Sequence, residues 1–357
     1  MRLRVGILIA FVSALVLVGC AASPTLPQTV GTAAPTPEMS SSATPTPSEP
    51  PTVTVPTRFF DGDCAAVLTG AELDDLLGEG WTTFDDYLAA VDGIALPDPL
   101  PEGTLGGLTC RWVANEVSSS EVHNLSLLLL PVDQVPAEFL DTFDAKRCDP
   151  SYDTSICRLS RSVDGVWIMA SPPYYGEGSM GEPSEAFLDR TIAAAAAGVA
   201  SRGGAPVPAT RTAQWWTLPS CEEFASHMRF DELTEGGFES GYWEGSEQAE
   251  QSLMAAADVS KDCPYYSSSD RLAPDEEHRI FSVSVYPGGH WMWDVILDGG
   301  VDVELTGARA AVAVSYDEHL VNVYATDGVN VVVAGGAEGV EFAADVAERA
   351  LAALASG

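Results

Sequence analysis

The chain has 357 residues, 46% of them hydrophobic, with 17 Lys and Arg against 52 Asp and Glu for a formal charge of −35. So acidic a chain offers no basic patch to nucleic acid or to an anionic bilayer, which excludes both as direct partners of its surface. The length allows two domains. The excess of carboxylates reads first as a solvated surface, with cations or basic polypeptides as its natural partners.

Arg2 and Arg4 precede an apolar run from Val5 to Val18, fourteen residues that end at Gly19 and Cys20. A membrane-spanning helix needs about twenty, and the shorter pattern is that of a secretory leader. Leu17-Val18-Gly19-Cys20 resembles the lipobox of bacterial lipoproteins, in which the cysteine thiol receives a diacylglycerol and the leader is cut just before it. The resemblance implies a leader over residues 1–19 and a lipidated Cys20 as the first mature residue. It also implies a membrane anchor on the extracytoplasmic face, firm because two acyl chains hold far better than one. Loss of Arg2 and Arg4 would leave 15 basic residues against the same 52 acidic ones.

Residues 20–57 are dominated by Pro, Thr, Ser and Ala, with no aromatic residue from Ala21 to Thr57. Such a segment cannot bury enough surface to offset chain entropy. In polyproline geometry it reaches on the order of 100 Å, at ~3.1 Å per residue. It reads as a tether.

The remainder contains an internal repeat. "FFDGDCAAVLTGAELDDLL" opens one copy and "WWTLPSCEEFASHMRFDEL" the other, each with an aromatic pair ahead of a cysteine and a helical pattern. Each copy then reaches a second cysteine with aromatics behind it, "LTCRW" and "KDCPYY", and an apolar or alternating strand closed by proline. "SVDGVWIMAS" and "ATDGVNVVVAG" follow as strands entered through Asp-Gly, a common hairpin signal. Each copy ends on an Ala-rich helix that stops at glycine. The expectation is an α+β fold of two tandem modules, residues 58–203 and 212–357. Each would carry N- and C-terminal helices around four or five antiparallel strands.

Beyond Cys20, six cysteines remain, an even number that suits disulfides in an exported chain. The repeat pairs Cys64 with Cys110 and Cys221 with Cys263, leaving Cys148 and Cys157 to close a local hairpin. Alignment on Asp327-Gly328 puts Ala311 and Leu320 at the places of that third pair, so the second module lacks the bond as a unit. With no CxxC pair and no mixed Cys/His cluster at zinc spacing, neither a metal site nor a cofactor is expected.

A helix opened by cysteine, a Cys-x-Trp or Cys-x-Tyr strand, antiparallel strands and a final Ala-rich helix all stand behind a lipobox and a Pro/Thr tether. This order resembles actinobacterial cell-envelope lipoproteins and the extracytoplasmic sensor domains of some kinases. The resemblance implies binding or sensing of an envelope ligand or protein, and it brings no catalytic residues.

Motifs for chemistry are scarce. "GFESG" has its serine one place too late for a nucleophile elbow, and neither a P-loop nor HExxH is present. Neighbouring acids such as Asp74-Asp75 diverge on a helix, which makes them poor acid–base partners. A non-catalytic protein is therefore expected, the alternatives being a hydrolase without a linear motif and an adaptor for a basic partner.

Trp112, Tyr265 and Tyr266 recur behind the second cysteine of each copy and read as core. Trp243, Trp291 and Trp293 have no evident counterpart in the first copy. In "PGGHWMWDVIL", strand alternation puts His290, Met292 and Asp294 on one face and Trp291 and Trp293 on the other. The tryptophans fit either a core or an aromatic groove with His290 at its edge. Trp243, His290, Trp291 and Trp293 are accordingly the candidate ligand-binding residues.

Overall fold

The computed structural model describes residues 55–91, 100–114, 122–151, 154–175, 182–234, 237–242, 247–268, 280–297, 300–315, 320–336 and 339–355. Cys20, the tether up to residue 54, and Trp243 lie outside the described residues.

The first module carries β1 (Thr82–Thr83), β2 (Leu108–Val113), β3 (Asn124–Pro131), β4 (Arg147–Ser151), β5 (Thr154–Val163), β6 (Val166–Ala170) and β7 (Pro173–Tyr175). Its helices are α1 (Gly70–Leu77), α2 (Phe84–Val91), α3 (Pro101–Thr104), α4 (Ala137–Leu140) and α5 (Glu185–Arg202). The second carries β8 (Phe238–Ser240), β9 (Lys261–Ser267), β10 (Ile280–Tyr286), β11 (Val301–Asp302), β12 (Ala310–Ser315), β13 (Val321–Thr326) and β14 (Val331–Gly336). Its helices are α6 (Cys221–Met228), α7 (Phe230–Leu233), α8 (Ala249–Ala256), α9 (Trp293–Ile296) and α10 (Val340–Ala355). The fold is α+β, as expected, with edge strands extending each sheet to seven.

The duplication is visible strand by strand. The first sheet runs β1-β2-β3-β6-β5-β4, and the second, read from its far edge, runs β8-β9-β10-β14-β13-β12. Register repeats as well: Cys110 faces Leu127, Leu127 faces Ala170 and Ala170 faces Leu159. The matching row is Cys263, Val283, Ala334 and Val323. α1 and α6 both start on capping boxes, Thr69 with Glu72 and Ser220 with Glu223, which satisfy amide groups that a helix start leaves open.

All three expected disulfides are present, and none crosses between modules. Cys148 lies directly opposite Cys157 in the β4–β5 ladder. Continuing the register from Cys110 and Cys263 makes Ser315 and Val321 the counterparts of that pair, instead of Ala311 and Leu320. The cause is the turn. Val163 pairs with Val166 across a two-residue Asp164-Gly165 loop, both at positive φ, whereas Thr326 pairs with Val331 across four residues. In the longer loop the Asp327 carboxylate accepts from the Val329 and Asn330 amides.

One face of each sheet meets its own helices. α1 and α5 cover Trp112, Leu127 and Ile168; α6 and α10 cover Tyr265, Val283 and Val332. Tyr266 departs from expectation: strand alternation turns it to the opposite face, half-exposed, where its hydroxyl donates to Glu239 at 2.9 Å.

The other faces are covered by an exchange between modules. Leu128, Leu130, Trp167 and Met169 of the first sheet pack against Leu253 and Met254 of α8. Reciprocally, Leu100 beside α3 packs on the second module's cluster of Met292, Trp293, Ile296, Tyr324 and Val331. Burial on both faces explains the nearly unbroken apolar sequences of β3 and β6. Asn330, fully buried, accepts from the Trp216 and Gly288 amides and donates to Gln214, pinning the link between modules to the second sheet.

Candidate binding site between the sheets

The exchange leaves a cavity of about 610 Å³ between the two modules. Strand period decides what lines it. In β9, Cys263 and Tyr265 turn to the helices, so Asp262 faces the other way; in β10, Val283 and Val285 do the same and leave Ser284 and Tyr286. Thr109 and Arg111 of β2 and Ser126 of β3 line the opposite wall by the same alternation. Gln248, Glu250, Gln251 and Met254, at the start of α8 and along it, close one side. Phe84 and Glu102 close another.

Asp262 accepts a hydrogen bond from the Ser284 hydroxyl at 2.6 Å, and its other oxygen lies 3.2 Å from the Tyr242 hydroxyl. Tyr242 is also 3.1 Å from Gln251 Oε1, so its one proton serves either acceptor. Burial raises the Asp262 pKa, and the charge of Glu247 raises it further, against the two hydroxyl bonds that lower it. Burial and the nearby Asp262 push the Tyr242 phenol up, keeping it neutral.

Glu250 differs, being already paired. Arg158, 2% exposed, reaches across from β5 and donates through Nε and Nη2 to the Glu250 carboxylate, the shortest contact being 2.8 Å. The same guanidinium also donates to Gln248 Oε1 and lies 3.6 Å from Asp149. Glu102, itself buried, accepts from the Thr109 amide at 3.2 Å, and the Arg111 guanidinium lies over the Phe84 ring.

His290, Trp291 and Trp293, the described residues among those expected from sequence to bind a ligand, do not line this cavity. The expected strand over His290 to Asp294 is instead a 3-10 turn, Gly289–Met292, followed by α9. The chain leaves β10 through Pro287-Gly288, with Gly288 at φ +69°, and a turn places Met292 and Trp293 together on the sheet as a strand could not. Its topological counterpart is the segment after β3, where Val132, Val135, Phe139, Leu140 and Phe143 pack on the first sheet.

Trp293 is 7% exposed, and the His290 ring stacks on it at 6.3 Å while His290 Nδ1 lies 3.0 Å from Thr326 Oγ1. Burial, then the charge of Arg309, lowers the His290 pKa. Trp291 points the other way, into the first module. Its indole N–H donates to Thr104 Oγ1 at 3.0 Å, and Arg58 lies 5.6 Å from the ring centroid. A Cβ on Gly103 would come within 2.5 Å of that ring, so only glycine admits so close an approach. Trp291 is an anchor between modules.

Among the described residues, the cluster at metal-ligand spacing is Cys148, Cys157 and Glu182, and both sulfurs are held in a disulfide. No described helix is long and apolar enough to cross a membrane. The three disulfides indicate an oxidising, extracytoplasmic environment. No family model matches the chain, and no curated protein or solved structure is detectably similar to it.

No linear motif marks Asp262, Ser284, Tyr242 or the Arg158–Glu250 pair. A weaker signal is present: Asp262 and Tyr266 in "KDCPYYS", and Ser282, Ser284 and Tyr286 in "FSVSVY", alternate with the core as polar residues. What covers them comes from α8, just ahead of β9 in the chain, and from the first sheet, more than one hundred residues away.

Proposed function

We propose that this chain is a lipid-anchored, non-catalytic protein of the cell envelope that binds a small ligand between its two modules. The observation that carries this reading is the cavity of about 610 Å³ to which both modules contribute polar groups, a size typical of small-molecule sites. The lipobox at Cys20 and the tether behind it support display on the extracytoplasmic face, as in the actinobacterial-type lipoproteins that the sequence resembles. Among the described lining residues the Ser284 hydroxyl is hydrogen-bonded to the Asp262 carboxylate, with neither His nor Cys in the lining beside them.

Two measurements test the two halves of the proposal. Cys20→Ser should move the full chain from the detergent phase to the aqueous phase in a partitioning assay; unchanged partitioning overturns the anchor. For binding, a small-molecule fraction of the envelope should raise the melting temperature of the wild type, since ligand at 100 times Kd adds about 2.7 kcal/mol. Ser126→Trp, which fills the cavity, should abolish that rise. A rise that survives in the filled variant places the ligand elsewhere.

A further inference from the structure

We infer that the cavity takes a hydroxylated primary amine of the amino-sugar class, its ammonium seated against Asp262. This deepens the binding reading and rests on it. The first ground is charge. Among the described residues Asp262 has two hydroxyls for partners and pairs with neither Lys nor Arg, whereas the other carboxylate on the same side, Glu250, is neutralised by Arg158. Across the cavity, Glu102 is bonded to a backbone amide, and Arg111 is held over Phe84. Asp262 is therefore a carboxyl in a partly dry chamber without a counter-charge from the described residues, and Glu247 adds repulsion to the cost of ionising it. An ammonium placed there offsets both the burial and the repulsion. A carboxylate or phosphate would add to them.

The second ground is the remainder of the lining. Ser126, Ser284, Asn124 and Gln251 present hydroxyl and amide groups that both donate and accept, as a polyol requires. Tyr286 adds ring surface that an apolar sugar face can cover. A purely aliphatic cation would leave these polar groups unmatched, which costs affinity once water is displaced. The third ground is long-range: a chain of formal charge −35 draws cations towards it and holds anions off.

The test is calorimetric titration of the full chain with glucosamine, N-acetylglucosamine and glucose, at a pH where the free amine is protonated. N-acetylation keeps the ring and hydroxyls and removes the charge while adding an acetyl group; glucose removes the charge without that added bulk. Glucosamine should bind at least roughly tenfold more tightly than either neutral sugar, the size of one good charge-assisted contact. Asp262→Asn should erase that preference, while Ser284→Ala, which removes a partner of Asp262, should reduce it. Because the carboxyl is costly to ionise in place, Asp262→Asn should melt no lower than the wild type at neutral pH, so lost preference is not unfolding. Equal or tighter binding of the neutral sugars overturns the cation while leaving the binding reading intact. So does a preference that survives in Asp262→Asn. Binding of none of the three overturns the amino-sugar assignment, and the Ser126→Trp comparison then decides separately whether the cavity binds anything.

Discussion

Corresponding rows of the two sheets show how a duplicated scaffold came to hold an asymmetric site. On the helix-facing side the rows are equivalent and apolar: Cys110, Leu127, Ala170 and Leu159 against Cys263, Val283, Ala334 and Val323. One residue along, on the side that faces the other module, they diverge. Thr109, Leu128, Met169 and Ser160 form the row in the first sheet; Asp262, Ser284, Val333 and Tyr324 form it in the second. Leu128 gives α8 an apolar seat, and its replacement by Ser284 beside Asp262 leaves the matching area of the second sheet polar and facing the cavity. Helix-facing positions are constrained by packing in both copies; only the outer faces were free to become a site.

The equivalence of the helix-facing cores is open to the hardest test. Cys64–Cys110 and Cys221–Cys263 close spans of 46 and 42 residues, so removing either with paired alanines should cost about 4 kcal/mol in urea unfolding. Cys148–Cys157, spanning 9, should cost nearer ~2.6 kcal/mol in the same chain-entropy account. Losses from the two long bonds that differ by more than about 2 kcal/mol would break the comparison, because equivalent bonds in equivalent cores should weigh alike.

A smaller effect sharpens the account of the interface. Trp291→Ala should cost about 3 kcal/mol, as for a truncated core aromatic, even though its ring packs on the other module. Gly103→Val should destabilise by about 2 kcal/mol through overpacking against the same ring. In the double variant the two losses should be less than additive, since with the indole gone the valine meets only the flexible Arg58 side chain, whose Cδ would lie 2.9 Å from its Cβ. Full additivity would mean that the ring does not sit on Gly103.

The smallest effect concerns the polar row. The folded-state pKa of Asp262 is raised, by burial first and by Glu247 second, with Ser284 and Tyr242 opposing. The native state then holds a proton longer than the unfolded chain. Stability should fall as pH rises from the ordinary carboxylate range through the raised value and level off above it. Asp262→Asn should lack that slope, gaining on the wild type as pH rises. Urea titrations at acid and neutral pH measure the difference. A wild type that gains on the variant with rising pH would contradict the environment described for this carboxyl.

Much of this is legible in the amino-acid sequence alone. Cysteine pairing follows from spacing repeated between copies; the expected helix opened by cysteine holds for Cys221 in α6, whereas Cys64 sits in a 3-10 turn and α1 starts later, at Gly70 behind the Thr69 cap. Recurrence behind the second cysteine likewise places Trp112 and Tyr265 in the core, while Tyr266, read as core on the same ground, is turned to the opposite face by the period of two. These are local or duplicated signals. Pattern fails where the determining partner is distant. Trp291 and Trp293 read as two teeth of a strand, yet one lies on its own sheet and the other on Gly103, 188 positions earlier in the numbering. Alternation says which face a residue occupies but not what will cover that face. Asp262 and Ser284 become the wall of a chamber only because α8 and the first sheet close over them while leaving space. Arg158 finds Glu250 in the same way, across the module boundary. Local bonding and pattern therefore settle the two modules in the sequence, while the site arises from how their outer faces meet.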